Sequence, residues 1–129
     1  MRVMNRILIV DDETDINLLF KIVLEDRGFK VDTFDDPNAA LENYRAGLYD
    51  LLILDIKMPR MHGFELYRKI REIDNKVKVC FLTASEMYYE MFRKNVFNTN
   101  TTLEENRFIQ TPIENEELVK QVNYMLSSN

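Results

Sequence analysis

The chain has a single cysteine, Cys80, which excludes an internal disulfide and suits a reducing compartment. It also lacks any apolar stretch near the roughly 20 residues of a membrane span, and its N-terminal MRVMNR has no signal-peptide core. Basic charge is in deficit. Seventeen Lys and Arg against 22 Asp and Glu leave a net charge of -5, whereas a nucleic-acid surface needs clustered cations. The expectation is a cytoplasmic protein with neither a membrane nor a nucleic-acid partner. Its 129 residues allow one well-cored domain, read as 1–129, and leave no room for a second.

Three short apolar runs each end in a polar residue. ILIV (Ile7 to Val10) leads into Asp11 and Asp12, LLIL (Leu51 to Leu54) into Asp55, and CFL (Cys80 to Leu82) into Thr83. Such runs predict buried strands of a parallel sheet, which places ligands at the carboxyl ends of its strands. Two more strands are expected at Lys30 to Phe34 and Arg107 to Gln110.

Helices fill the intervals. Ile16, Leu19, Phe20, Val23 and Leu24 have amphipathic spacing, closed by Gly28. Asp36 and Pro37 fit an N-cap and a first-turn proline for a helix running through Tyr44 to Gly47. A third helix carries Phe64, Tyr67 and Ile70, and a fourth starts at Ser85 with Met87, Tyr88, Met91 and Phe92. After the polar stretch 98–106, Pro112 precedes a fifth helix with Leu118, Val119, Val122 and Met125 on one face. Five strands alternating with five helices predict an α/β domain with both faces of a parallel sheet covered.

Two adjacent acids after a strand could simply favour a helix N-terminus, since Asp12, Glu13 and Asp15 all complement its dipole. Asp55 argues for more, because it ends an apolar strand and precedes a proline-bearing loop. Like carboxylates about 4 Å apart repel by roughly 4 kcal/mol at an effective dielectric near 20. A hard divalent cation removes that cost, and Mg2+ suits a site of few carboxylates that also binds phosphate oxygens.

Asp11-Asp12, the run D-I-K-M-P-R-M-H-G from Asp55 to Gly63, and L-T-A at 82 to 84 resemble the receiver domain of two-component response regulators. The resemblance implies a doubly wound, flavodoxin-like sheet of order 2-1-3-4-5. It implies phosphoryl transfer to Asp55 from a histidine kinase or phosphotransfer protein. Asp12 and Asp55 would ligate Mg2+ directly, Asp11 largely through water, and the Lys57 backbone carbonyl would add a further ligand. Thr83 would hydrogen-bond the phosphoryl oxygen, and Phe108 would stand where the family has an aromatic that turns between exposed and buried. The only chemistry implied is metal-assisted self-phosphorylation and dephosphorylation, without turnover of another substrate.

The sequence departs from the family in two places. Thr111 replaces the lysine normally found before the proline after strand five, leaving a neutral hydroxyl where a cation is usual. Lys57 could substitute, or could be a solvated loop residue. Between Met91 and Phe108 the usual glycine-alanine turn is replaced by a longer polar segment without glycine. That change alters the face of fourth helix, fifth strand and fifth helix, through which a downstream protein or a weak dimer contact is expected; the chain is otherwise read as a monomer. His62 reads as an exposed loop residue and Cys80 as core.

The expected function is a stand-alone receiver that signals through altered protein contact. The alternative is a phosphorylation-independent pseudo-receiver acting as a binding module. A haloacid-dehalogenase type of phosphatase fits poorly, because the residue two after Asp11 is Glu13 and not Asp.

Overall fold

A computed structural model describes residues 5–87, 89, 90 and 107–127. Its strands are β1 (Arg6–Val10), β2 (Lys30–Phe34), β3 (Leu51–Asp55), β4 (Lys78–Thr83) and β5 (Phe108–Gln110). Its helices among the described residues are α1 (Thr14–Asp26), α2 (Pro37–Asn43), α3 (Gly63–Ile73) and α4 (Asn115–Ser127). The strands form one parallel sheet in the order β2-β1-β3-β4-β5, as predicted. Four of the five expected helices are thus bounded among the described residues; of the fifth, from Ser85, residues 86, 87, 89 and 90 are helical (Tyr89 N–H to Ser85 O, 2.9 Å), and Tyr88 lies outside the described residues. Met91 and Phe92 lie outside the described residues, as does the polar stretch 98–106.

Alternation along the strands sorts the core into two layers. Leu8, Val10, Leu52, Leu54, Val79 and Phe81 face Ala40 of α2 and Leu66 and Ile70 of α3. Ile7, Ile9, Leu51, Ile53, Cys80 and Leu82 face Phe20 and Leu24 of α1 and Leu118 and Val122 of α4. Each such fully buried aliphatic or aromatic side chain contributes about 1.5–3 kcal/mol. No helix among the described residues is long and apolar enough to cross a membrane.

Two helices differ from their sequence reading. On α1, Leu19 was placed on the core face but is 44% exposed, and Asn17 is buried instead. The Asn17 amide donates to Asp11 O (2.8 Å) and Phe34 O (3.2 Å), and so ties the ends of β1 and β2 to the helix. That rotation leaves Leu18, Leu19 and Ile22 facing outward. On α2, Asp36 caps Asn38 N–H as expected, but the helix stops at Asn43 and not beyond Tyr44. The Tyr44 hydroxyl donates instead to Asp74 Oδ2 (2.7 Å), with Gly47 N–H on the same oxygen. Gly28 takes positive φ just past the C-cap of α1, and Gly47 takes it in the turn that follows α2.

Candidate functional site

The strand order dictates where the site forms. β1 and β3 are neighbours although β2 comes between them in sequence, so the crossovers leaving them diverge and open a crevice at their carboxyl ends. Asp11 and Asp12 follow β1 there, and Asp55 closes β3. Carboxylate oxygens from the three residues lie within 4.8 Å of one another.

Local structure holds each acid differently. Asp11 is buried and its Oδ1 accepts the N–H of Glu13, the N-cap of α1 (2.9 Å). Its own N–H donates to Phe34 O. Asp12 is exposed and Asp55 intermediate. That bond closes a turn ahead of α1 and does not cap its first turn, where no side-chain cap bond is made, and a helix-start reading does not account for Asp55.

Behind Asp55 the β3–α3 loop is clamped. Ile56 N–H donates to Leu82 O (2.9 Å), and Gly63 N–H returns to Ile56 O (2.8 Å). A Cβ on Gly63 would fall 2.3 Å from Asp55 O, so only glycine lets α3 start this close to the end of β3. Met58 and Met61 are buried and plug the loop into the core beneath. Lys57 is exposed two residues after Asp55, and His62 is exposed at the N-cap of α3 without a side-chain cap bond.

The electrostatics follow from this crowding. Burial, reinforced by the charges of Asp11 and Asp12, pushes the Asp55 carboxyl up to about 8, while the Lys57 main-chain N–H offers some relief. Burial also raises Asp11 to about 6, against the lowering effect of the Glu13 N–H. Three oxygen donors this close, two of them driven to retain protons, fit a hard divalent cation that favours oxygen ligands. Mg2+ therefore suits these residues.

Thr83 is buried at the end of β4. Its Oγ1 accepts Ser85 N–H (3.1 Å), which leaves the hydroxyl proton available to donate. Its carbonyl accepts Thr111 N–H (2.9 Å), linking the ends of β4 and β5. Thr111 is half-buried at that junction. Phe108 is only 2% exposed and packs against Phe81, so of the two positions expected for this aromatic the structure shows the inward one. Cys80 is fully buried, as expected, and burial pushes its thiol up. Sequence reading missed Asn17, which braces the backbone of Asp11; a polar residue inside an apolar helical face was the available signal.

A family model described as the response regulator receiver domain matches residues 7–123. The chain is 32% identical over 117 residues to the transcriptional regulatory protein DltR of Streptococcus agalactiae, covering 91% of this chain and 50% of that one. It is 38% identical over 81 residues to the response regulator receiver protein CpdR of Brucella abortus, covering 63% and 68% respectively. The response regulator TrrA of Thermotoga maritima, solved in complex with Mg2+ and BeF, superposes with a TM-score of 0.75 at 32% identity, covering 95% of this chain and 99% of that one. The chain thus spans about half the length of DltR.

Proposed function

The chain belongs to the response regulator receiver domain family, and we propose that it accepts a phosphoryl group on Asp55 from the phosphohistidine of a histidine kinase or phosphotransfer protein. It then signals by altered contact with a protein partner. The observation that carries this reading is the convergence of Asp11, Asp12 and Asp55 within 4.8 Å at the carboxyl edge of the sheet. In the transfer the phosphorus–nitrogen bond breaks, a phosphorus–oxygen bond forms to an Asp55 carboxylate oxygen, and the histidine leaves with the electron pair.

Asp55 must be ionised to attack, yet burial and its neighbours favour its proton. Mg2+, when bound, neutralises the carboxylates and the incoming phosphoryl oxygens. Asp12 and Asp55 would hold it directly, Asp11 largely through water, and the Lys57 carbonyl as a further donor. Thr83 offers its hydroxyl proton to a phosphoryl oxygen, since its acceptor side is occupied by Ser85 N–H. The exposed ridge of Leu18, Leu19 and Ile22, on the helix that starts beside Asp12, suits docking of an apolar helical face from the donor protein. A downstream partner would use the face that includes β5 and α4.

Incubation with Mg2+ and a small phosphoramidate donor tests this reading by intact mass. The wild-type chain should gain one phosphoryl group, and Asp55→Asn should gain none. Equal labelling of the variant, or an unlabelled wild type, would sink the assignment.

One observation favours a second reading, a receiver-like binding module without phosphate control. Thr111 occupies the junction beside Thr83 with a neutral hydroxyl. Lys57 is the nearest substitute in sequence, and Lys57→Ala should slow phosphorylation if it supplies the cation. Tight binding of Mg2+ with beryllofluoride supports the phosphoacceptor; no binding supports the module.

A further inference from the structure

β2 stands at one end of the sheet order, so half of its main-chain groups face away from β1. Lys30 N–H donates to Asn5 O and Phe34 O accepts Asp11 N–H, which turns residues 30, 32 and 34 toward β1. Val31 and Thr33 therefore point their N–H and C=O outward. At Val31 both groups are taken by side chains of α1. Glu25 Oε2 accepts the N–H (3.3 Å), and Lys21 Nζ donates to the C=O (3.2 Å). These two side chains, one helical turn apart, fill the place of a neighbouring strand. Thr33 has no such cover among the described residues, and clefts of about 490 Å3 and 340 Å3 flank it on the α2 and α1 sides.

We propose that Lys21 and Glu25 form an autoinhibitory clasp on the β2 edge, which without them pairs antiparallel with β2 of a second copy of this chain. The clasp is independent of the phosphoacceptor reading of Asp55.

An open strand edge is a template for another strand. With Val31 held, Thr33 alone is left to offer its outward groups, too short a ladder to hold two chains. Release of Val31 doubles that ladder, and both residues are β-branched, which suits strand pairing. Charge selects the occupant. β2 begins at Lys30 and is followed by Asp35, both exposed. Antiparallel pairing about a twofold axis sets the basic start of each copy against the acidic end of the other, whereas parallel pairing would set like beside like. The clasp opposes this because both its bonds are charge-assisted and must be given up before Val31 can pair.

Sedimentation equilibrium of the full chain tests the proposal. The double variant Lys21→Ala/Glu25→Ala should self-associate at least about tenfold more tightly than the wild type, the effect of one charged hydrogen bond. Association no tighter than wild type overturns the clasp. Adding Thr33→Pro to the double variant should return association to the wild-type level. Proline lacks the outward N–H, and an edge strand tolerates it, so far-UV circular dichroism should stay native. Association that survives Thr33→Pro places the contact on another face and overturns the proposal. In the double variant the Thr33 amide should exchange more slowly as concentration rises; an unchanged amide in an associated sample also overturns it. Lys21→Met removes the ammonium and keeps an apolar stem. It should tighten association in the same direction, and it decides the matter if the double variant does not fold.

Discussion

Two groups of carboxylates occupy opposite edges of this sheet and obey opposite rules. At the carboxyl edge, burial and mutual repulsion hold Asp11 and Asp55 above the usual range. Near the amino edge, burial also works against Asp32 and Asp74, but hydrogen bonds outweigh it and leave both below that range. Asp32 accepts from the Tyr49 hydroxyl (2.7 Å) and the Arg6 guanidinium (2.9 Å). Asp74 accepts from the Tyr44 hydroxyl, Gly47 N–H and Lys76 N–H. The difference is one of donors. One edge supplies each carboxylate with several donors and gains stability; the other gathers acceptors and thereby creates a demand that a cation can meet.

The largest effect should come from breaking the satisfied edge. Asp74→Ala strands the Tyr44 hydroxyl and two main-chain N–H groups, and should destabilise the fold by about 3 kcal/mol in urea melts. Tyr44→Phe removes one of those bonds and should cost about 1 kcal/mol. If Asp74→Ala costs no more than Tyr44→Phe, the hub is less cooperative than its geometry implies.

Next in size is the pH response, which should separate the two edges by sign. A carboxyl raised on folding favours the native state below its unfolded value, near 4, and that advantage is lost as pH rises through its folded value. Metal-free protein should therefore lose stability as pH rises toward about 8, the folded value for Asp55. The loss should be on the order of 2 kcal/mol, less than the full shift implies because Asp55 is partly open to water. Asp32 and Asp74 act in the reverse sense: their stabilisation is present above about 4 and is lost as pH falls below it. Asp55→Asn should flatten the neutral limb and leave the acid limb intact. Mg2+ should also flatten the neutral limb of the wild type and do nothing for the variant. A neutral limb that survives in Asp55→Asn places the raised group elsewhere.

The same contrast explains what could be read from sequence. The strands and the acids at the ends of β1 and β3 were legible because apolar runs ending in Asp need only local pattern, while the sheet order followed only from the resemblance to the receiver family. Tyr44 with Asp74 was not, since the bond joins residues 30 apart and shortens α2 for a tertiary reason. Leu19 and Asn17 exchanged places for a similar cause. Apolar spacing favours Leu19 on the buried face, but the carbonyls of Asp11 and Phe34 require a donor there, and Asn17 supplies it. Gly63 was visible in its motif, while the reason only glycine fits, the Asp55 carbonyl against it, needs coordinates.

The smallest effect should come from the N-cap of α3, which lies one residue before Gly63 and therefore close to the acidic edge. His62 makes no side-chain cap bond there, so an orphan N–H of the first turn goes without that partner. His62→Ser supplies a neutral acceptor and should stabilise the fold by about 0.5–1 kcal/mol. His62→Asp supplies an equally good acceptor together with a negative charge. At most helix starts that charge would help, but here it joins the field of Asp11, Asp12 and Asp55. In metal-free protein the aspartate variant should therefore gain less than the serine variant, and Mg2+ should bring the two together. Equal gains without metal would mean that the repulsion of the acidic edge is confined to its own three residues and does not reach the helix that begins behind Asp55.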